Sequence, residues 1–200
     1  MSSPPRVVIL SAGESARLGE AKALVELNGR AALTHLIEAC GDPCPLIISG
    51  AHSKELASFL EQEASRREVE LLEHKEWRAG RTSSIARAIR HAPGQDIILA
   101  PVDSPLVPRQ VFDALRATWE AAGAPARGWL APKDRRSQRH GHPIILGRSL
   151  LEEVLALKAD APLRSLRALA EPLLEVEVDA PEVLDNLDTP GELTLLRDRF

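Results

Sequence analysis

Short apolar runs alternate along this chain with longer stretches whose apolar residues recur every three or four positions. The runs at 6–11, 45–49, 69–73, 96–100, 127–131, 143–147 and 173–178 have strand length, and most are rich in Val, Ile and Leu. Between them, 31–40, 53–67, 82–91, 108–121, 149–157, 162–170 and 190–199 carry helical periodicity, several opened by Ser, Thr or Pro at the cap or first turn. Such alternation predicts βαβ units, hence an α/β fold in which a mostly parallel sheet lies between two layers of helices. No repeat, low-complexity tract or long linker interrupts it, so residues 1–200 read as a single domain.

Composition narrows the function. With 200 residues and 44% hydrophobic content, the chain can bury a continuous core without staples. A net charge of −4 and 3% aromatic residues, none of them Tyr, argue against a nucleic-acid partner, which calls for a basic face and stacking platforms. Cys40 and Cys44 flank a Gly-Asp-Pro turn with no second pair at zinc spacing, and read as incidental thiols. Met1 to Pro5 lack a basic segment followed by an apolar run, and no stretch approaches membrane-spanning length. A soluble, cytoplasmic protein is expected; its oligomeric state is left open.

The candidate chemistry begins where the first apolar run enters Ser11-Ala12-Gly13-Glu14-Ser15-Ala16-Arg17-Leu18-Gly19-Glu20-Ala21-Lys22. Small side chains at Ser11, Ala12 and Gly13 let a base or ribose approach the backbone, and exposed amides with two cations suit a polyphosphate. The spacing is neither that of a Walker loop nor G-x-G-x-x-G, and an ordinary βα turn could carry similar residues. A second element follows the run 96–100, where Asp103 stands at the carboxyl end of a predicted strand. There a carboxylate can hold Mg²⁺ against phosphate oxygens or merely cap the next helix. Asp188, just before Thr189-Pro190, poses the same choice, with Asn186 as a neutral neighbour. Gly80-Arg81-Thr82-Ser83-Ser84 sets hydroxyls at a helix start, where they can read a ribose or a base edge.

The stretch from Pro132 to Pro143 is too polar for the core and carries four Lys or Arg beside His140 and His142. A solvated hairpin and an acceptor-side flap both fit it. His35, His52, His74 and His91 lack ligand spacing and read as surface or packing residues. Trp77, Trp119 and Trp129 read as packing residues, and Glu61, Glu63, Arg66 and Arg67 as a charged helix face.

Taken in order, the segments Leu10–Lys22, Gly80–Ile85, Leu99–Leu106, Gly141–Gly147 and Asp185–Pro190 make the chain resemble the MobA-like NTP transferases over essentially its full length. That family includes cytidylyl- and guanylyltransferases of the molybdenum cofactor, with a Rossmann-like nucleotide-diphospho-sugar transferase fold. The resemblance implies Mg²⁺-dependent transfer of a nucleoside monophosphate from an NTP to a phosphorylated acceptor such as molybdopterin, with release of pyrophosphate. It implies that Arg17 and Lys22 bind the triphosphate and Asp103 the metal, as the catalytic set. Leu10, Ser11, Ala12 and Gly13 would frame the nucleotide, with Ser83 and Ser84 near base and ribose. Asp188 would complete the metal site, and Gly141, His142 and Pro143 would lie towards the acceptor. Ala12, where guanylyl enzymes more typically carry a second Gly, and the Gly-His-Pro motif resemble the cytidylyl branch, so CTP is favoured over GTP. Departures from the family pattern include Glu14, an acid beside the phosphates, Gly191-Glu192 after Thr-Pro, and Arg81 in place of an apolar residue. A sugar-1-phosphate nucleotidyltransferase and a nucleotide-binding protein without turnover are the alternatives.

Overall fold

The computed structural model describes residues 3–63 and 68–200. In chain order the elements are β1 (Arg6–Ser11), β2 (Glu26–Leu27), β3 (Arg30–Ala31), α1 (Ala32–Cys40), β4 (Leu46–Ser49), α2 (Ser53–Glu63), β5 (Glu70–Glu73), α3 (Arg81–His91), β6 (Ile97–Pro101), α4 (Arg109–Ala121), β7 (Trp129–Asp134), β8 (Ile144–Leu146), α5 (Arg148–Val154), β9 (Leu173–Val178) and α6 (Pro190–Arg197). Seven strands form one sheet in the order β5-β4-β1-β6-β8-β7-β9. Pairing is parallel from β5 through β4 and β1 to β6, antiparallel on both sides of β8, and parallel again between β7 and β9.

Strand periodicity separates the two faces of this sheet. Val7, Ile9, Ile47, Ile98 and Ile145 point to one side and pack on Leu33, Leu36, Leu56, Phe112 and Leu115 of α1, α2 and α4. Val8, Leu10, Ile48, Ile97 and Leu146 point to the other and pack on Ile85, Ile89, Leu150 and Val154 of α3 and α5. The predicted three-layer α/β architecture follows from this alternation.

Several expectations change in detail. The segment 162–170 is not an α-helix but a 3₁₀ stretch, Leu163–Leu169. Of the helix predicted at 53–67, the last part, with Arg66 and Arg67, lies outside the described residues. A short hairpin, β2–β3, turns on Asn28 and Gly29, both with positive φ, the pairing a two-residue reverse turn requires. The polar stretch after Pro132 is a hairpin extension of β7: Asp134 N donates to Arg139 O at 2.9 Å and Gly141 N to Pro132 O at 3.0 Å. Polar side chains of this stretch meet acids on and beyond β9, Lys133 with Glu175 (3.2 Å), Arg136 with Asp179 (3.1 Å) and His140 Nε2 with Glu175 (2.9 Å).

Candidate active site

The strand order reverses direction at β1, with β4 on one side and β6 on the other, and a crevice opens at such a switch point beyond the carboxyl ends of the strands. The loop after β1 enters it from one side. Its fold is set by Leu18, which is buried with Val25, Leu27, Leu187, Leu193 and Leu196 in a satellite cluster beneath α6. Leu18 N and Gly19 N both donate to Ser15 O, and Lys22 N donates to the Ser15 hydroxyl at 3.3 Å. Lys22 then opens a single 3₁₀ turn, Lys22–Leu24, with its side chain only 15% exposed.

From the other side comes the turn after β6. The register pairs Leu10 with Pro101, and Val102 N donates to Leu10 O at 3.1 Å, which brings Asp103 alongside the start of the first loop. The Asp103 side chain is 13% exposed and its Oδ2 accepts from Arg81 at 3.0 Å.

A C-terminal strap ties these parts together. His142 N donates to Val183 O, the Ser104 hydroxyl to Asp185 O and Leu187 N to Asp103 O, each at 2.8 Å. A Cβ on Gly141 would meet Val183 O at 2.0 Å, so only glycine lets the strap pass. The strap delivers Asp188 to Lys22, which forms an ion pair with its Oδ1, and to Arg17, whose guanidinium meets its Oδ2 at 2.6 Å. Beyond it, Thr189 and Glu192 make a capping box: the Thr189 hydroxyl accepts from Glu192 N, and the Glu192 carboxylate accepts from Asp188 N at 2.9 Å. Glu192, one of the departures from the family pattern, thereby starts α6.

Two clefts result. The first, about 170 Å³, is lined by Leu10, Ser11, Ala12, Gly13, Lys22 and Asp103 among others, with Ser15, His52, Trp77, Arg81 and Ser84 completing its walls. The second, about 410 Å³, is within the range of small-molecule pockets; it carries Arg81, Arg164, Arg167, His140, Gly141 and His142. They meet at Leu10 and Arg81, which line both.

Most of the residues singled out in the sequence therefore converge, and some do not. Ser84 faces the first cleft, but the Ser83 hydroxyl donates to Gly80 O at 2.6 Å and bonds His74 Nε2 at 2.8 Å, away from that cleft. Pro143 is buried just ahead of β8 and does not line the second cleft, and Arg17, with its side chain 70% exposed, sits outside the first on Asp188. Asp188 also stands off the first cleft, occupied by its two cations. Glu14 is exposed, and His52 Nε2 donates to its carbonyl at 3.1 Å. The sequence reading missed His52 and Trp77 as cleft residues and Arg164 and Arg167 as its cations. For His52 one signal was present, its place just past the carboxyl end of a strand; for the arginines there was none, because their segment is far from every motif.

Charge is arranged with care around Asp188. Burial pushes its carboxyl up, but hydrogen bonds from Lys22 and Asn186 and the charges of Lys22 and Arg17 outweigh this and bring it from 3.8 to about 2. A depressed carboxyl stabilises the fold above its ordinary value, and the contribution is lost as pH falls through about 2. Asp188→Asn is thus expected to cost about 2 kcal/mol at pH 7 and almost nothing near pH 2, which urea unfolding at the two pH values checks. For His142, burial pushes the imidazole down, Asp103 pulls it up and Arg81 pushes it down again; the net shift is downward, so the ring is neutral at pH 7. Its Nδ1 is buried without a hydrogen-bond partner. Among the described residues no three His, Cys, Asp or Glu side chains cluster as a metal site, and no helix is long and apolar enough to cross a membrane.

Comparison with known proteins agrees with this fold. A family model described as the MobA-like NTP transferase domain matches residues 7–176. A molybdenum cofactor guanylyltransferase of Vibrio cholerae is 28% identical over 192 residues, covering 93% of this chain and 88% of the relative. The crystal structure of Rv0371c from Mycobacterium tuberculosis superposes with a TM-score of 0.76 at 21% identity, covering 98% of this chain and 99% of that one. The same protein in complex with manganese gives 0.74 at 19% identity, covering 99% and 100%. At such identities these structures speak for the fold. The family model, spanning β1 almost to the end of β9 and every element that builds the two clefts, establishes that this chain belongs to the MobA-like NTP transferase domain family.

Proposed function

We propose that the chain, acting as one domain, is an Mg²⁺-dependent nucleotidyltransferase that moves CMP from CTP to the phosphate of a molybdopterin-like acceptor and releases pyrophosphate. The observation that carries this reading is the shared cleft of Lys22 and Asp103, continuous at Leu10 and Arg81 with a second cleft rich in arginine. In the transfer an acceptor phosphate oxygen forms a bond to the α-phosphorus as the bond to the β-phosphate oxygen breaks. The acceptor is already anionic near neutral pH, so the barrier lies in charge repulsion and alignment, and no general base is required.

The donor set fits the metal. Mg²⁺ is characteristically held by one or two carboxylates together with substrate phosphates, which suits Asp103, the one carboxylate lining the first cleft among the described residues, better than a closed cage. When bound there, the ion neutralises phosphate charge and holds the phosphates in line. Asp103 orients it, Lys22 supplies a partly desolvated cation to the triphosphate, and Arg17 adds a second at the rim. Asp188 keeps both cations in place before the nucleotide arrives. Gly13 has nothing within 4 Å of an added Cβ, leaving open space beside the backbone for the nucleotide, while the Ala12 methyl narrows it in favour of a pyrimidine. Neutral His142 and the small Gly141 line the side of the second cleft assigned to the acceptor.

The Vibrio cholerae relative supports a second reading, guanylyl transfer. Pyrophosphate release with Mg·CTP and Mg·GTP, each with molybdopterin or a sugar 1-phosphate, separates these. CTP with molybdopterin is expected to exceed GTP by about 10-fold or more, as a pocket contact of 1–3 kcal/mol allows. Faster release with GTP supports the second reading, turnover only with sugar phosphates shifts the acceptor class, and no release with any pair refutes the enzymatic reading.

A further inference from the structure

Arg81 is the charged side chain at the seam of the two clefts. Its backbone is fixed. Gly80 before it has φ +134°, and a Cβ there would meet Ala159 O at 2.5 Å; the Thr82 hydroxyl after it donates to Ala161 O at 2.6 Å. The side chain, by contrast, is 63% exposed and held at its tip by Asp103. That contact uses the carboxylate on which the proposed function places the metal. A divalent ion held on the same carboxylate would lie close to that guanidinium and repel it, which weakens the Arg81 contact.

Released from Asp103, the guanidinium has the second cleft on its other side. Arg164 and Arg167 line that cleft and neither has an ion-pair partner among the described residues; Asp160 is the carboxylate that lines it. A planar fork there can grip two phosphate oxygens at once. An acceptor phosphate attacking an α-phosphate in the first cleft must cross this seam. We propose that Arg81 is a substrate-positioning switch: it pairs with Asp103 and, once metal and nucleotide claim that carboxylate, turns to bind the acceptor's phosphate together with Arg164 and Arg167. Binding is consequently ordered, nucleotide before acceptor, and specific for a phosphorylated acceptor. This inference rests on the reading of Asp103 as the metal-holding residue.

The test uses Mn²⁺ and inorganic phosphate as probes on the full chain. Free Mn²⁺ is measured by electron paramagnetic resonance, and phosphate binding by isothermal titration calorimetry. In the wild type, Mn²⁺ with a non-hydrolysable CTP analogue is expected to tighten phosphate binding about 10-fold, a coupling of ordinary size. Arg81→Leu removes the competitor, so it binds Mn²⁺ several-fold more tightly without nucleotide, yet binds phosphate weakly with no response to nucleotide. Arg81→Lys keeps the charge without the fork and falls between them. Because Arg81 is exposed, both variants are expected to melt as the wild type does. An Arg81→Leu protein with unchanged Mn²⁺ affinity and unchanged coupling overturns the switch while leaving the reading of Asp103 intact. If Asp103→Asn binds Mn²⁺ as well as the wild type does, both fall.

Discussion

Asp103→Asn is expected to lower metal-dependent pyrophosphate release by about 10³-fold or more, the scale on which losing a charge-stabilising group at the reacting centre is felt. The substitution is isosteric and keeps the backbone carbonyl that accepts from Leu187 N at 2.8 Å, so the strap over the site survives. The ion pair that is lost has a largely exposed partner in Arg81, and exposed pairs contribute about 0–1 kcal/mol. At roughly 2–4 °C of Tm per kcal/mol for a chain of this size, melting should shift by no more than a few degrees. A folded Asp103→Asn protein with the wild-type rate refutes the assignment of the metal to this residue.

Lys22→Ala is expected to damage both activity and stability, and the two losses can be separated. Lys22 and Asp188 are 15% and 19% exposed at their side chains, so removing the ammonium strands a partly desolvated carboxylate with Arg17 alone. Stability should fall by about 1–3 kcal/mol, below the full cost of a deeply buried orphan charge because Arg17 remains. Turnover should fall by about 10²–10³-fold, as for loss of one donor to developing charge. Adding Asp188→Asn removes the stranded carboxylate: the double variant should be no less stable than either single one, the non-additivity expected of contacting residues. Its rate should stay low. If the double variant regains the wild-type rate, Lys22 serves only to neutralise Asp188.

Much of the fold was legible along the chain. All seven sheet strands lie where apolar runs of strand length occur, because alternation in a half- or fully buried strand is a local pattern. The segment 162–170 misled because Leu163, Leu166 and Leu169 also recur every three residues, the 3₁₀ period, and only Leu166 is buried. The hairpin at Asn28-Gly29 was readable from that dipeptide, yet its strands are two residues long and carry no alternation to detect. The polar loop after Pro132 offered cations for an acceptor, but the structure uses them on β9, whose Glu175 and Glu177 were visible only as the exposed side of a strand.

Within the site, Asp103 was identifiable by type and by its place past a strand end, and Lys22 by type and by its place in the loop after β1. Their partners were not. Local periodicity, turn chemistry and the family's ordered motifs are properties of neighbouring residues, and they sufficed for the α/β class and for the list of candidate site residues. Which of those residues meet depended on strand order and on packing between distant segments: Lys22 reaches Asp188 only because the Leu18 and α6 cluster closes beneath them, and Arg81 reaches Asp103 only because α3 begins beside the end of β6. Such contacts form when a whole sheet assembles, so no window of sequence contains them.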